Sequence, residues 1–319
     1  MSNDNPRVSI GLPVYNGEQH LREAIDSILA QTFEDFELII SDNASTDSTQ
    51  QICEEYAAKD GRIRYCRNEK NIGAALNFNR VFELSRGEYF KWAACDDKCA
   101  PELIAKCVEV LDKDSSVVVC HSRTMYIVHD KQGDFQKEKE YGGSTNTHLP
   151  QPQQRFYDLV CARASCLQIF GLIRANFLKQ TPLIGGYAAS DIVLLVKLAL
   201  FGRFQEIPEF LFYYRLHPKQ SVWTLSWNPQ AYTFWYAPAR EGEIVFPQWR
   251  LLREYCLAIT SAPISLNQKL RCYLHMGVWL QQNQKILIND LFFVVKQVLR
   301  PVKNLLKPSS MKQNQEKQT

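Results

Sequence analysis

The chain has 319 residues, of which 45% are hydrophobic and 22% charged, and a formal net charge of +3. That length buries a sizeable core, in one large domain or two coupled ones, and the composition is that of an ordinary globular protein. So small a charge, with Lys and Arg dispersed over most of the chain, excludes nucleic acid as the expected partner.

The start, residues 1–6, is polar and lacks the apolar stretch of a secretory leader, so the ten cysteines are expected to be reduced core residues of a cytoplasmic protein. Cys95-x3-Cys99 and Cys161-x4-Cys166 have no convincing partner pair for a structural zinc.

The first third alternates strand and helix. Residues 8–12 predict a strand, Asn16 to Gln19 has the form of a capping box, and Leu21, Ala24, Ile25, Ile28 and Leu29 make one helical stripe. Residues 36–40 predict a second strand closing on Ser41-Asp42, and Ser45-Thr46-Asp47 caps a helix running to about Lys59. A strand at 62–65, a helix opened by Asn71-Ile72-Gly73 and ending near Leu84, an apolar strand at 89–92, a helix at 101–111 and a strand at 117–120 follow. Alternation at this spacing implies right-handed crossovers and a mainly parallel, Rossmann-like α/β sheet flanked by helices. Ligands of such sheets lie at the carboxyl ends of the strands, where Pro13, Tyr15 and Asn16, then Asp42, then Asp96-Asp97 fall.

Asp96-Asp97 is the most informative of these groups. Adjacent carboxylates raise each other's pKa unless a positive charge joins them, and an oxygen-rich site suits Mg2+ or Mn2+. The plainer alternative is a solvated turn that caps the helix starting near Pro101.

Residues 130–155 are polar, with Gly133, Gly142-Gly143 and Pro150-Gln151-Pro152, and predict a long surface excursion. A helix near 156–165, an apolar stretch at 167–173, a helix over about 191–200 and a strand at 211–214 come next. From Trp223 onward the pattern is helical and rich in aromatics. The segment 286–306 contains Asp290, Lys296, Arg300, Pro301 and Lys303, so it does not span a membrane as one apolar helix. Its apolar residues recur at helical spacing, which suits a peripheral helix on an anionic membrane, a helix packed on the domain, or one buried in a homodimer. The tail 307–319 is polar and expected to be disordered.

The first strand runs into residues 11–17 without a Gly-x-Gly-x-x-Gly turn, and no Walker-type Gly-x4-Gly-Lys-Ser/Thr is present. A nucleotide would therefore be held by strand-end side chains.

Several short motifs now fall into order: residues 8–16 (VSIGLPVYN), 27–33 (SILAQTF), 40–47 (ISDNASTD), Asn71-Ile72-Gly73, Asn79, Arg86-Gly87-Glu88-Tyr89 and Asp96-Asp97. Over roughly residues 7–222 the chain resembles a family 2 glycosyltransferase of the GT-A fold. The resemblance implies a glycosyltransferase domain over 1–222, with a nucleotide-binding half at 7–112 and an acceptor and catalytic half at 113–222. A helical extension at 223–306 carries no family signal. By the same resemblance Pro13, Tyr15 and Asn16 line the base and ribose pocket and Asp42 bonds the nucleobase, which favours UDP- or dTDP-type donors. Asn71, Gly73 and Asn79 complete the nucleotide-binding set with Asp96 and Arg215.

The family's Asp-x-Asp metal motif maps onto Ala94-Cys95-Asp96, so its first Asp is missing. Either Asp96 or Asp97 is left as the direct ligand of a divalent metal, Mn2+ or Mg2+. Ser190-Asp191 stands where the family commonly has Glu-Asp, making Asp191 the implied catalytic base. Tyr214-Arg215-Leu216-His217 matches a Tyr-Arg-x-His element, which makes His217 a third metal ligand or a diphosphate contact and Arg215 a phosphate partner.

The implied reaction is inverting transfer of a sugar from a nucleotide-diphosphate sugar to an acceptor hydroxyl of a saccharide or lipid-linked saccharide. It would serve polysaccharide or glycolipid assembly, at the inner face of the cytoplasmic membrane if the terminal helix meets one. The alternatives are a nucleotide-sugar-binding protein that has lost catalysis, suggested by Ala94 and Ser190, and a nucleotidyltransferase, which would need a basic Gly-rich loop that Pro13-Val14-Tyr15 does not supply. The aromatic stretch 223–249 either flanks the acceptor or packs as helix core.

Overall fold

Two mostly apolar runs of seven residues, Val8–Val14 (β1) and Phe36–Asp42 (β2), are buried along their whole length. Strands covered on both faces lose the in–out alternation of an exposed sheet, which is what these runs require. The computed structural model describes residues 5–141, 146–162, 166–220, 224–225 and 228–305. Expectations for Gly142-Gly143, Trp223, Trp227 and the 307–319 tail lie outside the described residues.

β1 pairs in parallel with β2 and with Tyr89–Trp92 (β4), and β2 pairs in parallel with Ile63–Arg67 (β3). Helices α1 (Leu21–Leu29), α2 (Thr49–Ala57) and α3 (Ala74–Glu83) make the connections. The capping box at Asn16 does not form. Helix α1 starts at Leu21, while Asn16 sits at φ 51° and its side chain accepts the Thr46 N–H. Asp47, in contrast, accepts the Thr49 N–H at the start of α2, at 3.0 Å.

The second half adds β5 (Lys98–Cys99), α4 (Leu103–Lys113), β6 (Val117–His129), β7 (Phe135–Glu140), α5 (Pro152–Cys161), β8 (Leu172–Arg174), α6 (Ala175–Leu178), α7 (Ser190–Phe201) and β9 (Arg203–Leu216). The sheet order is β3-β2-β1-β4-β8-β6-β9-β5, with β7 on β6. Only β6–β9 is parallel in this half; β4–β8, β6–β8, β5–β9 and β6–β7 are antiparallel. The sheet is mainly parallel by residues paired, as expected, with short antiparallel pairings at β5, β7 and β8. The surface excursion at 130–155 is corrected, because it contains β7 and the start of α5. Every residue of β7 is exposed, so it is held mainly by backbone pairing to β6 and no apolar alternation marks it.

Three further helices, α8 (Pro229–Tyr236), α9 (Pro247–Ser261) and α10 (Leu266–Leu305), close the chain. Leu251, Tyr255, Ala258, Met276, Trp279 and Leu287 pack into the same core as Phe90, Val119 and Leu195, so the extension completes the sheet's second face. α1 and α4 cover the other face. Gly11 lets α3 lie close on β1: a Cβ there would stand 2.6 Å from Val81 Cγ2.

One carboxylate is buried where β1 and β2 meet. Glu37 accepts bonds from Ser9 Oγ (2.7 Å), Arg64 Nη1 (2.9 Å), Arg86 Nη2 (3.0 Å) and the Arg86 N–H (2.9 Å). Burial alone would raise its pKa, but the bonds from Ser9, Arg64 and Arg86 together outweigh burial and hold it below the usual glutamate value. A depressed folded-state pKa stabilises the protein above the unfolded carboxylate value of about 4.3, and that stability is lost as pH falls through the folded value. Glu37→Gln is expected to cost about 2 kcal/mol at pH 7, discounted for the half-exposed arginines, and much less at a pH below the folded value. Urea midpoints of both proteins at the two pH values measure it; a pH-independent difference would contradict the linkage.

Candidate active site

The strand-end residues converge on one edge of the sheet. Val14 is in register with Asp42, so the ends of β1 and β2 lie side by side. Pro13 is buried, while Tyr15 and Asn16 are exposed at the rim. Asp42 is fully buried: Oδ1 accepts the Ser45 N–H (2.8 Å), and Oδ2 accepts the Tyr65 hydroxyl (2.9 Å) and the Arg67 guanidinium. Arg67 also donates to the Ser45 carbonyl at 2.9 Å.

Beneath this pocket four asparagines interlock. Asn43 Nδ2 donates to Asn71 Oδ1 (2.9 Å), Asn68 Nδ2 donates to Asn43 Oδ1 and Asn77 Oδ1 (3.0 Å each), and Asn43 Oδ1 accepts the Ile72 N–H (2.9 Å). Asn71 Oδ1 further accepts the Gly73 N–H at 2.8 Å. Gly73, at φ 89°, leads into α3, and a Cβ on it would meet Pro238 Cδ at 2.4 Å and the Tyr236 carbonyl at 2.6 Å. Asn79, expected at the nucleotide, brackets the backbone of one residue: it donates to the Ile184 carbonyl (2.9 Å) and accepts the Ile184 N–H (3.0 Å).

The acidic doublet follows β4. The short strand β5 then pairs antiparallel with β9, Lys98 opposite Tyr213, and so carries Arg215 and His217 back to Asp96 and Asp97. His217 Nε2 lies 3.0 Å from Asp96 Oδ2, and the Arg215 N–H donates to Asp97 Oδ1 at 2.8 Å. Asp97 is buried, and its Oδ2 has no hydrogen-bond partner among the described residues. Burial, reinforced by the neighbouring Asp96 charge, pushes the Asp97 carboxyl well above the usual range. A buried carboxylate oxygen without a donor is a position that a cation would satisfy.

Arg215 differs from its expected role. Its buried guanidinium donates to the Asp96 carbonyl (2.7 Å), faces His129 Nε2 (2.8 Å) and pairs with Glu23 (2.5 Å). It is a staple between α1, β6 and the doublet rather than a free phosphate partner. His20 joins the group, its ring 5.2 Å from that of His217 and 5.8 Å from that of His129. Its Nε2 is buried without a partner, and burial, with the Arg215 charge and His217 beside it, lowers its pKa to about 4. Lys91, in the strand expected to be apolar, is wholly buried and donates to the carbonyls of Trp92 (3.1 Å) and Phe170.

Asp191 stands in the first turn of α7, where a carboxylate is favoured by the helix dipole. The loop before it is strained: Leu183 and Ala189 have φ of 59° and 61°, a region costly for residues with a Cβ. Asn79 clamps Ile184, and Arg240 Nη1 donates to the Gly186 carbonyl at 3.2 Å. Burial raises the Asp191 pKa, opposed by donation from the Cys166 thiol and the Ile192 N–H. Burial pushes the Tyr214 hydroxyl up, reinforced by the charges of Asp97, Asp96 and Cys166. Tyr232 and Tyr236 of α8 likewise lie within reach of the Asp191 charge.

Sequence reasoning missed Glu23, His20, His129, Cys166 and the asparagines at 43, 68 and 77. His20 and Glu23 follow β1 at the flagged sheet edge and were open to detection on that ground; His129 and Cys166 carried no local signal. A separate cavity of about 240 Å³, lined by Lys91, His121, Arg123, Glu206 and Phe212 among others, contains none of the candidate residues.

A mixed sheet with helices on both faces and carboxylates at its strand ends is the architecture of a GT-A glycosyltransferase. Residues 9–173 match the family described as glycosyl transferase family 2. The chain belongs to that family. It is 29% identical over 223 residues to an uncharacterized glycosyltransferase of Haemophilus influenzae, covering 68% of this chain and 67% of that one. It is 33% identical over 129 residues to the glycosyltransferase GlyG of Streptococcus pneumoniae, covering 40% and 42%. An uncharacterized glycosyltransferase of Methanocaldococcus jannaschii is 32% identical over 42% of this chain and 47% of its own length. The chain thus aligns with between about two fifths and two thirds of these relatives. Among solved structures, S. aureus TarS 1-349 in complex with UDP-GlcNAc superposes with a TM-score of 0.65 at 18% identity, covering 91% of this chain and 81% of that one. A mannosyltransferase of Pyrobaculum calidifontis in complex with GDP-Man and Mn2+ gives 0.51 at 16%, covering 93% and 87%. These likenesses establish the fold.

Proposed function

We propose that this glycosyltransferase moves a sugar, with inversion, from a nucleotide-diphosphate sugar of UDP or dTDP type to a hydroxyl of a saccharide or lipid-linked saccharide acceptor. The setting is cytoplasmic polysaccharide or glycolipid assembly. The reading is carried by one observation: Asp96, His217 and the partnerless Asp97 Oδ2 meet at the strand ends.

Asp96, Asp97 and His217 fit a divalent cation, Mn2+ or Mg2+, which when bound stabilises negative charge on the departing diphosphate. Among the described residues no three His, Cys, Asp or Glu side chains converge into a ready-made cage. Pro13, Tyr15, Asn16 and Asp42 form the base and ribose end, where Asp42 is buried and held by Ser45, Tyr65 and Arg67. Asn71 and Gly73 shape the pocket floor, and Asn79 holds the loop that precedes Asp191. Asp191 accepts the proton of the acceptor hydroxyl as its oxygen attacks the anomeric carbon from the face opposite the diphosphate. We read residues 1–222 as the transferase domain and 223–306 as an extension whose α8 adds Tyr232 and Tyr236 to the acceptor side.

Ala94 and Ser190, at positions where the family commonly has acids, favour a second reading, a donor-binding protein without turnover. The deciding experiment measures melting temperature with UDP, dTDP, GDP and CDP, with and without Mn2+, and then Mn2+-dependent release of nucleotide from the matching sugar donor. A metal-dependent rise of a few degrees with one diphosphate, followed by sugar release, is expected. Binding without release selects the second reading, and no shift with any diphosphate at millimolar concentration overturns both.

A further inference from the structure

α10 buries one side and leaves an apolar face on the other. Cys272, Met276, Trp279 and Leu287 point into the core. On the opposite side Leu266, Leu270, Leu274 and Val278 follow at intervals of four residues, and Ile288, Phe292 and Val295 continue the face after a polar break at Gln281, Gln284 and Lys285. Each of these seven apolar side chains is between 36% and 74% exposed. At 1.5 Å per residue the face is about 44 Å long. An aligned apolar face of this extent is unusual on a free surface and marks a contact site.

Charge selects the occupant. The helix sequence holds six Lys and Arg residues (269, 271, 285, 296, 300 and 303) against a single acid, Asp290. Asp290 is turned towards α9, where it accepts the Gln248 N–H at 2.7 Å. A second copy of this face would bring two strongly cationic helices together. No helix among the described residues is long and apolar enough to cross a membrane. An exposed apolar face on a helix whose sequence is strongly net cationic instead suits the interface of an anionic lipid bilayer, the apolar face entering the acyl boundary and Lys and Arg meeting the headgroups.

We infer that α10 is a peripheral docking surface for an anionic bilayer, lying in the membrane plane along its Leu266–Val295 face. This rests on surface chemistry and not on the sugar-transfer reading, so each can fail without the other. The test is co-sedimentation of the full chain with vesicles of phosphatidylcholine alone and of phosphatidylcholine with phosphatidylglycerol. Binding to the anionic vesicles is expected to exceed binding to the neutral ones by about tenfold and to weaken with added salt. The Leu274→Glu/Phe292→Glu double variant should lose about tenfold in partitioning while its melting temperature stays unchanged, because both side chains are exposed. Absent or charge-indifferent binding overturns the inference, as does full binding by the double variant. A stable dimer that this variant dissolves, in a protein that ignores anionic vesicles, would assign the face to a second copy instead.

Discussion

Asp191→Asn is expected to lower turnover by about 10²- to 10⁴-fold while donor affinity stays within a few fold. The amide keeps the shape of the carboxyl but cannot take the proton of an attacking hydroxyl. Fold damage should be small, because the bonds that Asp191 accepts, from the Ile192 N–H and the Cys166 thiol, are local to the start of α7 or available to an amide oxygen. Burial raises its pKa, so the acid limb of the wild-type kcat profile should lie above the ordinary aspartate value of about 3.9. The base must be ionised, so activity falls as pH drops through that limb, and the residual activity of the variant should lack it. Full turnover in Asp191→Asn, or an unchanged acid limb, would remove Asp191 from the role.

The second large effect is expected at the doublet. Asp96→Asn and His217→Ala should each weaken Mn2+-dependent binding of the nucleotide diphosphate by at least about 10²-fold, read as loss of the metal-dependent rise in melting temperature. Magnitude decides between two accounts of the 3.0 Å Asp96–His217 contact. A partly exposed ion pair contributes no more than about 1 kcal/mol, and breaking it would lower stability slightly without touching metal dependence. If both variants melt a little lower yet keep the full Mn2+ response, the contact is only structural.

The first three strands and helices could be read from sequence because each buries a run or stripe whose period declares it. The carboxyl-end rule then places Pro13, Asp42 and Asp96-Asp97 on one edge. What escaped was decided by pairing rather than by pattern. β5 has two residues and β7 no buried one, so neither shows a period, yet β5 is what returns His217 to Asp96. The role of Arg215 was misjudged for a related reason. Its partners Glu23 and His129 come from 192 and 86 residues away, a convergence that no local motif encodes. The resemblance supplied Asp191 and His217, which spacing alone would have left as a helix cap and a loop histidine.

The contact at Gly73 bears on how this chain can change. The donor-side loop touches the backbone of Tyr236 and the ring of Pro238 so closely that even a methyl group would collide. The same stretch of extension holds Gly186, near Asp191, through Arg240. A replacement extension would have to reproduce both contacts before any new acceptor preference could emerge. The last third of the chain is therefore poorly interchangeable between relatives, and altered specificity is more accessible through single side chains on α8 than through exchange of the whole segment.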